Sequence, residues 1–191
     1  MTALTATLAA TGAIAVADKY AVAHLMPWLV VRHHAFFTIG SLTVPSLHGP
    51  AANAALELWT YPAALAPSLV LLLVAASRLA KADAIVWCAS WAAGNAAEVV
   101  GKLTLRKPAL YHNHVHVTAF DTSLPSGHTI RSLVVAGAVA AAWRSGYAAY
   151  AWAATVPFAL VATGAHTPTD VVTGVFVALT LAGWAPNVRR A

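Results

Sequence analysis

The chain has 191 residues, of which 60% are hydrophobic and 9% charged, and its mean hydropathy is +0.70. A soluble domain carries roughly a quarter charged residues, so this composition excludes an ordinary water-facing surface and points to lipid as the second solvent. The net charge of +5 comes from eleven scattered Lys and Arg residues with no basic stripe among aromatics, which speaks against nucleic acid, and the lone Cys88 excludes an intramolecular disulfide.

The N-terminal run Leu4 to Ala17 is apolar but lacks a basic leader and a small-residue cleavage site, so a retained first membrane helix is expected over Ala3–Ala23. Asp18 and Lys19 fall inside it, as a snorkelling end, an interior polar pair, or the stop of a shorter helix. The His-, Pro- and Gly-punctuated stretch from Arg32 to Trp59 suits the membrane interface. Five more apolar segments follow, Tyr61–Leu79, Asp83–Gly101, Thr129–Trp143, Tyr147–Ala165 and Asp170–Ala185, against the ~20 residues a span needs, the shorter ones completed by flanking residues or protein contacts. The expected fold is an all-α, polytopic membrane helix bundle of about six transmembrane helices, with residues 1–191 as a single domain.

Alternating spans place Arg78 with Lys81, Arg144, and Arg189 with Arg190 on one face, expected to be cytoplasmic because Lys and Arg concentrate there. The opposite face, expected to be the exterior of the plasma membrane, receives three polar islands. These are Lys102 to Pro108, then Pro125-Ser126-Gly127-His128, then His166-Thr-Pro-Thr-Asp170. Thirty-seven residues separate the two histidines, enough for two short spans and a turn, so both return to the same face.

A phosphoryl group spreads negative charge over its oxygens and is bound by positioned cations and N–H donors. Lys102 and Arg106 are four apart and share a face if the third span continues through them, and Lys107 adds a further cation. Ser126, Gly127 and His128 precede a helix whose N-terminus favours an anion, and Gly127 lets backbone approach it closely. His166 and Asp170 are four apart, so the carboxylate can orient the imidazole and leave one ring nitrogen to attack.

At these residues the chain resembles the type 2 phosphatidic acid phosphatase superfamily of membrane lipid phosphatases. The second signature of that family, PSGH, stands at Pro125–His128, and the ending of its third, a histidine followed four residues later by aspartate, stands at His166–Asp170. The resemblance covers about Lys102 to Gly174 and implies a catalytic core over about 83–185. It implies that His166 is a nucleophile forming a phosphohistidine, Asp170 its orienting partner, and His128 the acid that protonates the leaving oxygen and then the base that activates water. It implies no metal ion and no other cofactor. The partners it implies are membrane lipids and a lipid-linked or polyprenyl phosphate or diphosphate.

Two departures stand out. The first signature has Arg directly before Pro and Lys seven residues earlier, whereas here Lys107 precedes Pro108 and Lys102 lies closer than expected. The third signature has Ser-Arg before the nucleophile, where this chain has Ala159 and Leu160. Arg131, one turn after His128, either replaces that missing cation or snorkels to the interface. The same site would serve a phosphotransferase, and the missing Arg leaves a catalytically silent lipid-binding protein as a second class. His112, His114 and His116 alternate, as metal ligands aligned on an extended loop, headgroup contacts or a solvated loop would. Glu98, four before Lys102, is an ion-pair partner by spacing.

Overall fold

The computed structural model describes residues 12–26, 36–39, 42–45, 50–105, 110–112, 115–117, 124–143 and 146–184. Helix α1 covers residues 12–20 and runs into a π-helical turn, Ala21–Leu25. Two antiparallel strands, β1 (Phe36–Ile39) and β2 (Leu42–Pro45), precede α2 (Pro50–Thr60). A 3₁₀ turn, Tyr61–Ala63, carries Pro62 and bends the chain by 49° into α3, Leu65–Ala76. Helix α4 is the longest, Lys81–Thr104, with Asp83 in its first turn and Lys102 in its last, each charge complementing the helix dipole.

A second hairpin, β3 (Leu110–His112) with β4 (Val115–Val117), lies between α4 and α5 (Gly127–Ala142), and α6 (Tyr147–Ala162) and α7 (Pro168–Trp184) complete the bundle. The described chain is therefore all-α apart from two short hairpins. The five segments expected from Tyr61 onward correspond to α3 through α7.

Helix α5 is the axis of the bundle and packs against α3, α4, α6 and α7. Small residues let its neighbours close in: a side chain at Gly137 would run into the Trp87 ring, and one at Gly94 into Ile130. Two apolar cores result. Leu72, Ala75, Trp87, Ile130, Val134, Val135 and Ala138 join α3, α4 and α5, whereas Val22, Met26, Ala63, Val156, Leu160, Val161 and Val171 join α1, α6 and α7.

Several expectations are refined. Among the described residues no single helix is long and apolar enough to cross a membrane, although the bent pair Ala54–Ala63 and Leu65–Ala76 passes together. Helix α4 ends at Thr104, where Leu105 leaves helical geometry at φ −114°. Pro108 lies just beyond, and proline and the residue before it both resist helix. Arg106 and Lys107 themselves lie outside the described residues, as do His114, Arg144, Arg189 and Arg190. His112 and His116 do not follow one another along a single strand: the hairpin sets His112 opposite Val115 and His116 opposite Tyr111.

Candidate active site

His166 is placed by two local motifs in immediate succession. Helix α6 ends in a Schellman motif: Gly164 takes φ 73°, its N–H donates to the Val161 carbonyl at 3.0 Å, and the Ala165 N–H donates to the Leu160 carbonyl at 3.0 Å. Only glycine adopts that φ without strain. The His166 N–H reaches the same Leu160 carbonyl at 3.2 Å.

Helix α7 then starts at once. Thr167 is its N-cap, Pro168 takes the first helical position, and Asp170 reaches back so that its Oδ2 accepts from the Thr167 N–H at 3.0 Å and from the Thr167 hydroxyl at 2.9 Å. His166 thus stands directly between a helix stop and a helix start.

The carboxylate that caps α7 also faces the imidazole. His166 Nδ1 lies 3.5 Å from Asp170 Oδ2, too long for a hydrogen bond, and Nδ1 is buried without one. Catalytic hydrogen bonds often tighten only once substrate is bound.

His128 is placed by the start of α5. Ser126 is the N-cap, its Oγ accepting from the Thr129 N–H at 3.4 Å and from the Thr129 hydroxyl at 3.1 Å, and its own N–H donates to the Asp170 carbonyl at 3.0 Å. That last bond ties the starts of α5 and α7 together, and with them the two histidines. Pro125 follows a cis peptide bond. Ser126 is fully buried in this capping role and Gly127 is buried against the Glu98 carboxylate, which fills the place a side chain would need.

Across from the histidines stands an ionic cluster. Glu98 binds Lys102 Nζ at 2.9 Å and Arg131 Nη1 at 2.5 Å. Arg131 is 5% exposed, with Nε donating to the Ala63 carbonyl at 2.8 Å and Nη1 also donating to Asn95 Oδ1 at 2.9 Å. This is not a snorkelling arginine: its partners lie in the protein interior, on the bend before α3 and on α4. Nη2 is the guanidinium nitrogen that makes no hydrogen bond with the described residues.

His128, His166, Lys102, Arg131, Asn95 and Glu98 line one cavity of about 640 Å³, together with Leu65, Val99, Leu103, Leu160 and Ala165. Six polar side chains share this cavity with five apolar residues. Asp170, Ser126 and Gly127 stand behind its wall rather than on it. Leu160, which occupies the position of the signature Arg, lines the same cavity as Arg131, so a cation from either position would serve the same space.

Asn95 and the Ala63 carbonyl were not singled out from sequence. Asn95, Glu98 and Lys102, at i, i+3 and i+7, do trace a polar stripe on an otherwise apolar helix, which was a readable signal. Nothing local marks Ala63. Among the described residues no group of three His, Cys, Asp or Glu side chains is arranged to hold a metal ion.

A family model described as the PAP2 superfamily matches residues 88–191, which takes in α4 from Cys88 onward, both histidines and all of α7. Comparisons with curated proteins and with solved structures found no match.

Proposed function

The chain belongs to the PAP2 superfamily, the type 2 phosphatidic acid phosphatases, and on that premise, which carries phosphatase chemistry on phosphate esters, we propose that it dephosphorylates a lipid-linked substrate within a membrane through a phosphohistidine. The observation that carries this reading is the shared cavity of His128, His166, Lys102 and Arg131. Two imidazoles and two cations there meet the needs of phosphoryl transfer, with Lys102 as a point charge and the guanidinium as a planar donor.

In the first step the His166 Nε2 lone pair forms a P–N bond as the P–O bond to the leaving group breaks, and protonated His128 gives its proton to that oxygen. In the second, neutral His128 takes a proton from water as the water oxygen attacks phosphorus. The P–N bond breaks, inorganic phosphate leaves, and His128 is again protonated. Asp170 takes the Nδ1–H once the phosphoryl group on Nε2 makes the ring cationic, and Lys102, Arg131 and the α5 N-terminus bear the phosphoryl charge. Arg106 and Lys107 join the substrate-binding set on the strength of the sequence alone.

The lipid part of the proposal rests on the outward surface. Val70, Leu73 and Val74 of α3, Phe158 of α6, and Phe176 and Leu179 of α7 all face outward and are at least half exposed. An apolar girdle of this kind suits acyl chains better than water. The proposal puts the active face at the exterior of the plasma membrane, supported by the basic residues in the sequence of the opposite loops.

The test is phosphate release by purified full-length protein from phosphatidate, phosphatidylglycerophosphate, and polyprenyl mono- and diphosphates, against a water-soluble phosphomonoester panel. Release from a lipid substrate without added acceptor, with an acid-labile, base-stable phosphoenzyme, is the expected result. Turnover only with an acceptor alcohol would make the protein a phosphotransferase. No phosphoenzyme and no release from any substrate would leave the silent lipid-binding reading. With Cys88 replaced, an Asn113→Cys protein should react with a membrane-impermeant thiol reagent in intact cells; reaction only after permeabilisation would invert the topology.

A further inference from the structure

The cavity that holds the two histidines is polar within and apolar at its mouth. Arg131 and His166 are 5% exposed, whereas Leu65, Val99 and Leu103, which line the same cavity, are each more than half exposed. On α4, Val99 and Leu103 come one position after Glu98 and Lys102, about 100° further round the helix. This helix therefore turns a charged stripe and an apolar stripe to one cavity. Leu65 stands at the start of α3, and one turn along that helix Trp91 Nε1 donates to Ser68 Oγ at 3.1 Å, tying α3 to α4 beside the mouth. From Leu65 the apolar surface continues outward. Leu65, Leu69 and Leu73 recur every four residues, all exposed, and cover about 12 Å of α3.

We propose that the hydrocarbon chain of the phosphorylated lipid leaves the cavity sideways between α3 and α4, over Leu65, Val99 and Leu103, and lies along Leu69 and Leu73. This rests on the reading of the cavity as a lipid-phosphate site. A charged head needs donors and an apolar chain gains by touching apolar side chains, and here both needs are met by neighbouring stripes. The substrate then reacts without lifting its chain out of the hydrocarbon layer. A second cavity, of about 620 Å³ between α5, α6 and α7, offers the rival course. Leu133, Phe158 and Val172 are among its lining residues, all of which are apolar, and neither histidine nor Arg131 reaches it. Leu160 faces the first cavity and Val161 the second, and both are buried, so the end of α6 stands between the two.

The experiment uses the full chain in phosphatidylcholine nanodiscs and a hexadecyl phosphonate with a diazirine at mid-chain. Its P–C bond keeps the anionic head from being released. Illumination followed by peptide mass spectrometry should place the label among Leu65, Leu69, Leu73, Val99 and Leu103. Orthovanadate, which has the charge of the head and no chain, should abolish that label. The alcohol with the same diazirine chain reports ambient lipid, and vanadate should leave its labelling unchanged.

In turnover, Val99→Trp and Leu103→Trp should each lower kcat/KM for hexadecyl phosphate relative to p-nitrophenyl phosphate on the order of tenfold, the scale of altered contacts in an apolar pocket. Val172→Trp, in the second cavity, should leave that ratio unchanged. A merely structural role for Val99 and Leu103 would lower both substrates alike. The labelling needs no variant, so it decides even where a Trp protein does not fold. Phosphonate label at the five positions that vanadate leaves in place is ambient lipid and overturns the proposal. Vanadate-sensitive label at Leu133, Phe158 or Val172 sends the chain into the second cavity and overturns it too. Protection of the five positions from both probes means that another part of the protein or a second copy covers this face, which also overturns it. Each of these outcomes in a protein that releases phosphate from lipids removes the chain's course and leaves the phosphatase reading intact. Vanadate-sensitive label at the five positions in a protein that releases no phosphate sustains the course and removes the hydrolysis.

Discussion

The two walls of the cavity are built by different means. On the histidine wall, His128 and His166 are placed mainly by helix caps whose hydrogen bonds close within five or six residues, the Gly164 stop, the Thr167–Asp170 start and the Ser126 cap, with the Ser126 N–H to Asp170 carbonyl bond as the long-range tie between them. On the cation wall, Arg131 is held by Ala63, Asn95 and Glu98, which lie 68, 36 and 33 residues away. One wall uses bonds that the helices need in order to begin and end. The other uses bonds that exist only because three elements pack together. The first should therefore tolerate changes in packing, and the second should not.

Removing His166, the proposed nucleophile, should have the largest effect. His166→Ala is expected to lower phosphate release on the order of a thousandfold or more, with the fold retained as judged by its thermal melt. His128→Ala should cost about 10²- to 10⁴-fold on an alkyl phosphate but far less on p-nitrophenyl phosphate, whose leaving group needs little protonation. Equal losses on both substrates would remove His128 from the role of acid.

On the cation wall, Arg131→Ala should cost on the order of 10²- to 10³-fold in kcat/KM, the scale of a lost positioned donor. Arg131→Lys should recover only part, because an ammonium cannot span Ala63, Asn95, Glu98 and the substrate at once. Vanadate inhibition is the cleaner readout, since it tests anion binding without turnover. Unchanged inhibition in a folded Arg131→Lys protein would leave Lys102 as the phosphate contact of this wall.

Glu98→Gln sharpens the contrast from the other side. The carboxylate compensates both Lys102 and Arg131, so replacing it with a neutral amide should free positive potential for the substrate. Inhibition by vanadate should tighten on the order of tenfold. Weaker inhibition would instead mean that Glu98 matters chiefly for holding Arg131 in place.

Gly164→Ala should give the smallest change. A Cβ at φ 73° costs about 1–2 kcal/mol, seen as a lowered melting temperature, with some loss of kcat because His166 lies two residues on.

The sequence by itself settled whatever is decided within a turn or two of helix. The apolar segments from Tyr61 onward marked α3 to α7, Pro125–His128 marked a capped helix start, and His166 marked the wall of the site with Asp170 behind it. Each of these rests on backbone groups at helix ends that must find partners close along the chain, so the residue types that supply them are legible in order. What only the tertiary structure decided is the environment of the charges. Arg131 read equally as a phosphate ligand or as a snorkelling side chain, and its burial against Ala63, Asn95 and Glu98 removed the second reading. Asp18 read as one of three things, and its bond to Thr169, 151 residues away, made it an interior group. Glu98 read as the partner of Lys102 alone, one turn away, and became the centre of a cluster when α5 brought Arg131 beside it. Composition along the chain tells a buried charge that it needs a partner, but the partner is chosen by which helix faces meet, and that is fixed by packing across the whole bundle.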